Sequence, residues 1–145
     1  MHHDIPAQER LIVALDFPTQ ERARALVEQL GDNVHFYKLG LELFMDGGYF
    51  DFIDWLRDRD KSVFVDLKFF DVPATVGRAV RRLNGRGIRF ATVHGNDAMM
   101  RAAAEAKEDF EVLAVTVLTS LDRGDLDDLG FRCDVEELVT SRARP

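Results

Sequence analysis

The chain has 145 residues, a length that accommodates one ordinary domain with a hydrophobic core. Hydrophobic residues make up 46% and charged residues 31%, which is typical of a globular protein and excludes a disordered chain. The net charge of −7 argues against nucleic-acid binding, because contacts to phosphates need a basic surface. One group of arginines on a predicted helix and its end is interpreted as a solvated face: Arg78, Arg81, Arg82, Arg86 and Arg89.

Cysteine content and hydropathy indicate the cellular compartment in which the protein is expected. The single cysteine, Cys133, excludes an internal disulfide bond and suits a reducing cytoplasm; we expect it to be a small half-buried residue rather than a nucleophile. The polar first ten residues are not typical of a signal peptide, and no apolar run approaches the length of a membrane span. We therefore expect a cytoplasmic protein without membrane partners, with a tail over 1–10 and a single domain over 11–145.

Short apolar runs recur along the chain and predict strands at 11–15, 34–39, 62–66, 90–94 and 112–118. They are rich in β-branched or aromatic residues and largely apolar on both faces, which is typical of a parallel sheet covered on both sides. Helical patterns lie between them, including two helical pieces separated by a glycine pair at 47–48. After the fifth run we predict a Gly/Asp-rich loop and then a last helix.

Helix starts are marked by residues that favour caps. Thr19, Asn96 and Asp134 are expected to be N-caps, and Pro73 is expected at a first helical position. Strand–helix alternation repeated five times implies parallel pairing with right-handed crossovers. Two architectures fit this pattern: a doubly wound open sheet, or the first five units of an α/β fold of the (β/α)8 TIM barrel family. The first turn, L-D-F-P-T-Q, lacks the glycines of a dinucleotide-binding fold, which counts against that fold.

Polar residues stand at the carboxyl ends of the predicted strands, where βα barrels collect catalytic groups. A turn or a lysine extended along a rim explains any one of them, but polar groups at five strand ends indicate a site. His94 is expected to be a packed rim residue, because nothing pairs with it at metal-ligand spacing. The other strand-end residues are Asp16, Lys38, Asp66 with Lys68, and Thr119 with Ser120.

The spacing Asp66-x-Lys68-x-x-Asp71 is the pattern that most strongly indicates a catalytic role. Two acids beside a lysine favour its charged form, which makes the lysine a poor nucleophile and a good general acid. The pattern therefore indicates proton delivery to a developing carbanion. The alternative interpretation is a surface ion-pair cluster, worth about 1 kcal/mol or less per pair.

Four segments together closely resemble the orotidine 5′-phosphate decarboxylase family of the bacterial kind: A-L-D-F-P (14–18), K-L-G (38–40), D-L-K-F-F-D-V-P-A-T (66–75) and V-T-V-L-T-S (115–120). The resemblance extends in order from about residue 11 to residue 140. The Asp-x-Lys-x-x-Asp motif followed by Pro and Thr is its specific part. The resemblance implies a (β/α)8 barrel and a homodimer whose active sites lie at the subunit interface.

The implied activity is that of a carboxy-lyase, which converts orotidine 5′-phosphate to uridine 5′-phosphate and carbon dioxide in de novo pyrimidine biosynthesis, without metal or organic cofactor. The resemblance implies that Lys68 donates the proton to C6 of the pyrimidine and that Asp66 faces the substrate carboxylate. The resemblance also implies that Asp16 and Lys38 make ribose-side contacts and hold the charge network. Asp71 and Thr75 match residues that reach into the partner's site, and Thr119 or Ser120 matches the pyrimidine-binding segment.

Two departures from the family pattern bear on activity. Phe70, Val72 and Ala74 stand where the family often has His, Ile and Asn, which spares the charged residues. Five βα units are present where a barrel has eight, so the last strands and the phosphate-binding loops are not expected in this chain. An inactive fragment or association module therefore stays open as an alternative, as does a magnesium-dependent sugar-phosphate decarboxylase or aldolase of the same superfamily.

Overall fold

The computed structural model describes residues 4–144. Within them, five parallel strands form one sheet in the order β1-β2-β3-β4-β5: β1 (Ile12–Ala14), β2 (Phe36–Gly40), β3 (Ser62–Phe69), β4 (Phe90–His94) and β5 (Glu111–Val115). Right-handed crossovers place every connecting helix on one side of a sheet whose strand order never reverses, whereas a doubly wound sheet reverses at a switch point. The sheet is therefore one stretch of barrel wall, and the doubly wound alternative is wrong.

The helices that residues 4–144 form are α1 (Gln20–Leu30), α2 (Leu41–Met45), α3 (Tyr49–Arg57), α4 (Pro73–Arg81), α5 (Asp97–Ala106), α6 (Arg123–Asp128) and α7 (Val135–Ala143). The expected caps are confirmed. The side chains of Thr19, Asn96 and Asp134 each accept a hydrogen bond from a backbone amide in the first turn of α1, α5 and α7. Pro73 begins α4, where a missing amide proton costs nothing.

The segment after β5 differs from the prediction. The expected Gly/Asp-rich loop contains α6, which begins with a reciprocal capping box between Asp122 and Asp125. The acids and the glycine favoured a turn in sequence, but the spacing of the two aspartates lets each satisfy the other's amide. β5 ends at Val115 rather than 118, and the Thr116 carbonyl accepts a hydrogen bond of 2.6 Å from Arg142 on α7.

The expected N-terminal tail also has local structure where it is described. Residues Ala7–Glu9 form a 3₁₀ turn, and Arg10 donates to the Ile5 carbonyl at 2.7 Å and to Asp4 at 3.1 Å. Residues 1–3 lie outside the described residues. The contacts are exposed, so they contribute little to stability.

One face of the sheet packs against the helices. Alternate strand residues point there, because side chains in a strand alternate between the two faces. They meet the apolar faces of α1, α3, α4 and α5. The core residues on the strands, or directly after β1 in the case of the first, are Leu15, Tyr37, Leu39, Val63, Val65, Ala91 and Val93. Each leucine and valine among them contributes about 1.5–3 kcal/mol relative to an exposed position. The helices therefore hold the sheet from this side.

The other face of the sheet carries aromatic rings. Phe90 stacks on Phe36 with ring centroids 5.7 Å apart, and it meets Phe64 edge to face at 5.8 Å. Towards the sheet edges this face becomes open, since Ile12 on β1 is 38% exposed and Leu113 on β5 is 39% exposed. Two residues beyond each phenylalanine, on the same face, the strands carry Lys38, Asp66 and Thr92. An aromatic layer therefore lies beneath a polar one.

Candidate active site

An irregularity in β3 shapes the site. Val65 pairs with Ala91 and Phe69 pairs with Val93, so Asp66, Leu67 and Lys68 together lie opposite a single residue of β4. This is a bulge, and Lys68 within it has a φ of 47°. The left-handed conformation costs a residue other than glycine about 1–2 kcal/mol. Backbone strain of this kind concentrates at functional sites, where surrounding contacts maintain it.

Asp66 accepts hydrogen bonds from three side chains at once. The Lys68 ammonium nitrogen lies 2.9 Å from both carboxylate oxygens, the Lys38 ammonium lies 3.1 Å from Oδ2, and the Thr92 hydroxyl donates to Oδ1 at 2.8 Å. The Asp66 side chain is only 9% exposed, so these donors take the place of water. Side chains from β2, β3 and β4 therefore meet at one carboxylate.

The ionisation of Asp66 follows from this environment. Burial alone would raise the pKa of Asp66, since a low dielectric disfavours the charged form. Hydrogen bonds from Lys68, Thr92 and Lys38, together with the charge of Lys68, outweigh burial and hold the pKa of Asp66 below its ordinary value. Asp66 is therefore a fixed negative charge at neutral pH, held beside two ammonium groups.

The charged residues border a cavity of about 350 Å³ at the carboxyl ends of β1, β2 and β3. It is lined by Asp16, Lys38, Gly40, Leu41, Asp66, Leu67 and Lys68. A β-carbon at Gly40 would be in van der Waals contact with an Asp16 carboxylate oxygen at 3.5 Å, so the Gly40 backbone borders that acid directly. In the described residues, the two lysines make their ion pairs with Asp66 and none with Asp16.

Four other sequence-predicted residues lie outside this cluster. Asp71 is exposed in the loop after β3, and its carboxylate accepts a hydrogen bond of 2.6 Å from the Val72 amide rather than an ion pair with Lys68. Thr75 is in the first turn of α4, where its hydroxyl accepts a hydrogen bond from Arg78 at 2.9 Å. Thr119 and Ser120 form an exposed turn after β5. Their predicted roles remain predictions.

His94 ends β4 on the polar face of the sheet and contacts the Phe70 ring edge to face, with centroids 5.6 Å apart. Burial, followed by the positive charges of Arg142 and Lys68, lowers the pKa of His94. The imidazole is therefore neutral at pH 7. It borders a second, mainly apolar cavity of about 630 Å³, which includes Leu126 and Phe131 in its lining. This place agrees with the expectation of a packed rim residue.

Sequence reasoning missed Thr92. It lies in the middle of β4, is 5% exposed, and contributes the hydroxyl that touches both Asp66 and the backbone of Lys68. The available signal was its position, since the alternation of F-A-T-V-H puts Thr92 on the same face as His94. A threonine within a strand is ordinary, however, and only the pairing of β3 with β4 reveals its contacts.

Residues 4–144 contain no group of three or more histidine, cysteine, aspartate or glutamate side chains arranged to hold a metal ion. Among the helices of the same residues, none is long and apolar enough to cross a membrane.

The consecutive parallel strands and the charged groups at their carboxyl ends define a protein of the βα-barrel class, with its polar site where such barrels carry theirs. A model of the orotidine 5′-phosphate decarboxylase / HUMPS family matches residues 9–144, and the chain belongs to this family.

Curated relatives agree with the family. The chain is 67% identical over 140 residues to "Orotidine 5′-phosphate decarboxylase" of Methylococcus capsulatus, covering 97% of this chain and 58% of that protein. It is 52% identical over 141 residues to the protein of the same name from Xanthomonas axonopodis pv. citri, covering 96% of this chain and 58% of that protein. The chain therefore spans 58% of the length of these relatives.

Solved structures show the same likeness. An orotidine 5′-phosphate decarboxylase from Lactobacillus acidophilus superposes with a TM-score of 0.81 at 35% identity, covering 92% of this chain and 64% of that one. An uncharacterized conserved protein from Geobacillus kaustophilus gives a TM-score of 0.83 at 32% identity, covering 91% of this chain and 66% of that one. The TIM barrel family predicted from the sequence is thus confirmed, with this chain matching part of the barrel.

Proposed function

We propose that this chain provides the proton-donating part of an orotidine 5′-phosphate decarboxylase, which forms uridine 5′-phosphate and carbon dioxide. The proposal rests on the family, on the names of its relatives and on one geometric observation. That observation is the Lys68 ammonium, which lies 2.9 Å from both oxygens of the buried Asp66 carboxylate beside an open cavity. An ammonium held in this way is suited to stabilise and then protonate a carbanion.

In the proposed reaction, the bond from C6 of the pyrimidine to the substrate carboxylate breaks, and its electron pair stays on C6. Carbon dioxide leaves, and one proton passes from the Lys68 ammonium to C6. The amine that remains on Lys68 regains a proton from solvent. Because the ammonium is already in place before the charge develops on C6, no reorganisation is needed at that moment.

Asp66 has a second role in this proposal. Its fixed negative charge would face the substrate carboxylate, and repulsion between the two is relieved when carbon dioxide leaves. Lys38 and Asp16, which border the same cavity, are proposed to contact the ribose and to complete the charge network. Contacts remote from C6 supply the binding energy that holds the two carboxylates together.

Binding of the substrate phosphate is proposed to require more of the barrel than the described strands. Barrels commonly hold phosphate in the loops after strands 7 and 8, and the sheet described here has β1 to β5. The relatives are longer than the matched region, so their additional length can supply such loops. Turnover by this chain is therefore proposed to depend on a polypeptide that provides them.

We further propose a homodimer in which Asp71 and Thr75 reach the partner's site, with Thr119 or Ser120 contacting the pyrimidine. The support is the exposure of the loop between β3 and α4. Phe70 is 67% exposed and Val72 is 62% exposed, on either side of Asp71. Large apolar side chains that flank a charged residue on an open loop are typical of a surface that a partner covers. A cytoplasmic location is proposed from the single cysteine.

The activity is tested by assaying carbon dioxide release from orotidine 5′-phosphate by three samples. They are this chain, this chain mixed with the remaining βα units of a relative, and those units alone. We expect turnover in the mixture and none in the separate samples. A folded mixture that binds the product nucleotide without turnover would favour the association module. Turnover of a keto-sugar phosphate that requires magnesium would favour the other enzyme of the superfamily.

A further inference from the structure

The Thr92 hydroxyl makes two hydrogen bonds with opposite polarity. It accepts from the Lys68 backbone amide at 2.9 Å and donates to Asp66 Oδ1 at 2.8 Å. The polarity is fixed by chemistry, because an amide nitrogen can only donate and an ionised carboxylate can only accept. A hydroxyl has a single proton, so Thr92 commits it to Asp66. The side chain is almost fully buried, which excludes water as a routine substitute.

The bulge explains why a hydroxyl is needed at this place. Three residues of β3 lie opposite Thr92, so the regular ladder of backbone hydrogen bonds between β3 and β4 is interrupted there. A buried amide without a partner costs about 1–3 kcal/mol. The Thr92 hydroxyl gives the Lys68 amide a partner at the residue whose φ is 47°. It thereby stabilises the strained conformation that orients the lysine.

We propose that Thr92 is a positioning residue for the Asp66–Lys68 pair: its hydroxyl fixes the Lys68 backbone and the Asp66 carboxylate at once, and so sets where the ammonium points. Asp66, Lys68 and Thr92 form a closed ring of contacts, since Lys68 Nζ also binds Asp66. The catalytic meaning of this inference rests on the proposed decarboxylase function. The structural coupling itself does not.

The test is NMR titration of the Asp66 side-chain carboxyl carbon in this chain, without substrate. Thr92→Val keeps the shape of the side chain and removes the hydroxyl, whereas Thr92→Ser keeps the hydroxyl. We expect the Asp66 titration to shift to higher pH in Thr92→Val, since a donor to the charged form is lost. We also expect faster hydrogen exchange at the Lys68 amide. Thr92→Ser is expected to restore both values.

Val80→Ala is the control for general loss of stability, because Val80 is a fully buried residue of α4 in the hydrophobic core. It should lower stability and leave the Asp66 titration unchanged. An Asp66 titration that is identical in Thr92→Val and wild type overturns the proposal, and so does an equal shift in Val80→Ala. If Thr92→Val does not fold, hydrogen exchange of the Lys68 amide in the wild-type chain is the remaining test. Rapid exchange at neutral pH overturns the proposal, and strong protection supports it.

The outcomes separate this inference from the proposed function. A shifted Asp66 titration without decarboxylation in the completed barrel would leave the positioning role intact and remove the function. In an active completed barrel, Thr92→Val is expected to lower kcat roughly 10- to 100-fold with little change in KM, and Thr92→Ser to recover most of it. Unchanged kcat in Thr92→Val would contradict the catalytic part of the inference.

Discussion

The Lys68 ammonium nitrogen lies 2.9 Å from both carboxylate oxygens of Asp66, the residue two positions before it in the chain. Side chains two residues apart in a strand share a face, which brings them to the same side of the sheet. The bulge and the positive φ of Lys68 then distinguish this pair from a regular strand. A lysine and an acid thus form a local unit that Lys38 and Thr92 complete from neighbouring strands.

Lys68→Ala is expected to abolish decarboxylation in the completed barrel. Loss of both the proton donor and the charge that stabilises the carbanion should lower kcat by roughly 10³-fold or more. Binding of the product nucleotide, which has no carboxylate at C6, should be largely retained in calorimetry. Lys107→Ala is the matched control, because Lys107 forms an ion pair with Glu111 at the surface. Near-normal turnover in Lys68→Ala would remove Lys68 as the proton donor.

Asp66→Asn is expected to lower stability in a pH-dependent manner. The folded-state pKa of Asp66 is below its unfolded value, so its contribution is fully present above pH of about 4 and is lost as the pH falls through the folded pKa. The difference in unfolding free energy between wild type and Asp66→Asn should therefore shrink as the pH falls below about 4. Urea unfolding at a series of pH values measures it.

The control for this pH series is Asp4→Asn, which removes an exposed carboxylate that pairs with Arg10 at the surface. We expect it to change stability little at neutral pH. A wild-type advantage over Asp66→Asn that stays constant from pH 7 down to pH 2, or that grows as the pH falls, would contradict the low pKa of Asp66.

Lys61→Met is expected to destabilise the protein by about 1–3 kcal/mol. The Lys61 side chain is 6% exposed, and its ammonium donates to the carbonyls of Gly31 at 2.7 Å and Val34 at 3.1 Å. Methionine preserves the apolar packing but leaves the Gly31 carbonyl without this donor. Lys107→Met, at a half-exposed surface pair, should cost less than 1 kcal/mol. Equal urea midpoints for the two variants would show that the Lys61 contacts are dispensable.

Gly95→Ala is expected to cost more than Gly85→Ala. Both glycines have a positive φ, 108° and 74°, so either alanine is strained by roughly 1–2 kcal/mol. A β-carbon at Gly95 would also lie 2.9 Å from the Phe70 ring and in conflict with the Met99 sulfur, whereas a β-carbon at Gly85 would meet no atom within 4 Å among the described residues. Thermal unfolding should show an additional loss of about 1 kcal/mol for Gly95→Ala. Identical losses would mean that the Phe70 ring moves aside freely.

Val72→Lys is expected to dissociate the proposed homodimer. Val72 is 62% exposed beside Asp71, and a buried lysine without a partner at an interface is strongly unfavourable. Sedimentation velocity should show a dimer for the wild type and a monomer for the variant. Ile5→Lys, at a residue 53% exposed near the N-terminus, should remain dimeric. A wild-type chain that is monomeric at high concentration would contradict the proposal for this chain.

The local features of this protein could be predicted from short stretches of sequence. Strand patterns, the caps at Thr19, Asn96 and Asp134, and the start of α4 at Pro73 each depend on residues within about one turn, so neighbouring side chains determine them. α6 was missed because its capping box uses two aspartates where glutamate or glutamine is usual at the second position. The Asp66–Lys68 pair was also local, since one strand presents both side chains.

The tertiary structure determined which side chains of neighbouring strands contact the Asp66–Lys68 pair. Thr92 is 26 positions from Asp66 and reaches it only through the register of β4 against a bulged β3, which no local pattern encodes. Asp71 lies in the loop after β3, where its carboxylate accepts a hydrogen bond from the Val72 amide rather than joining the cluster. The sequence by itself determined the lysine, its acid and the family motif. Strand pairing determined which further groups hold them, because contacts across a sheet depend on register and not on distance along the chain.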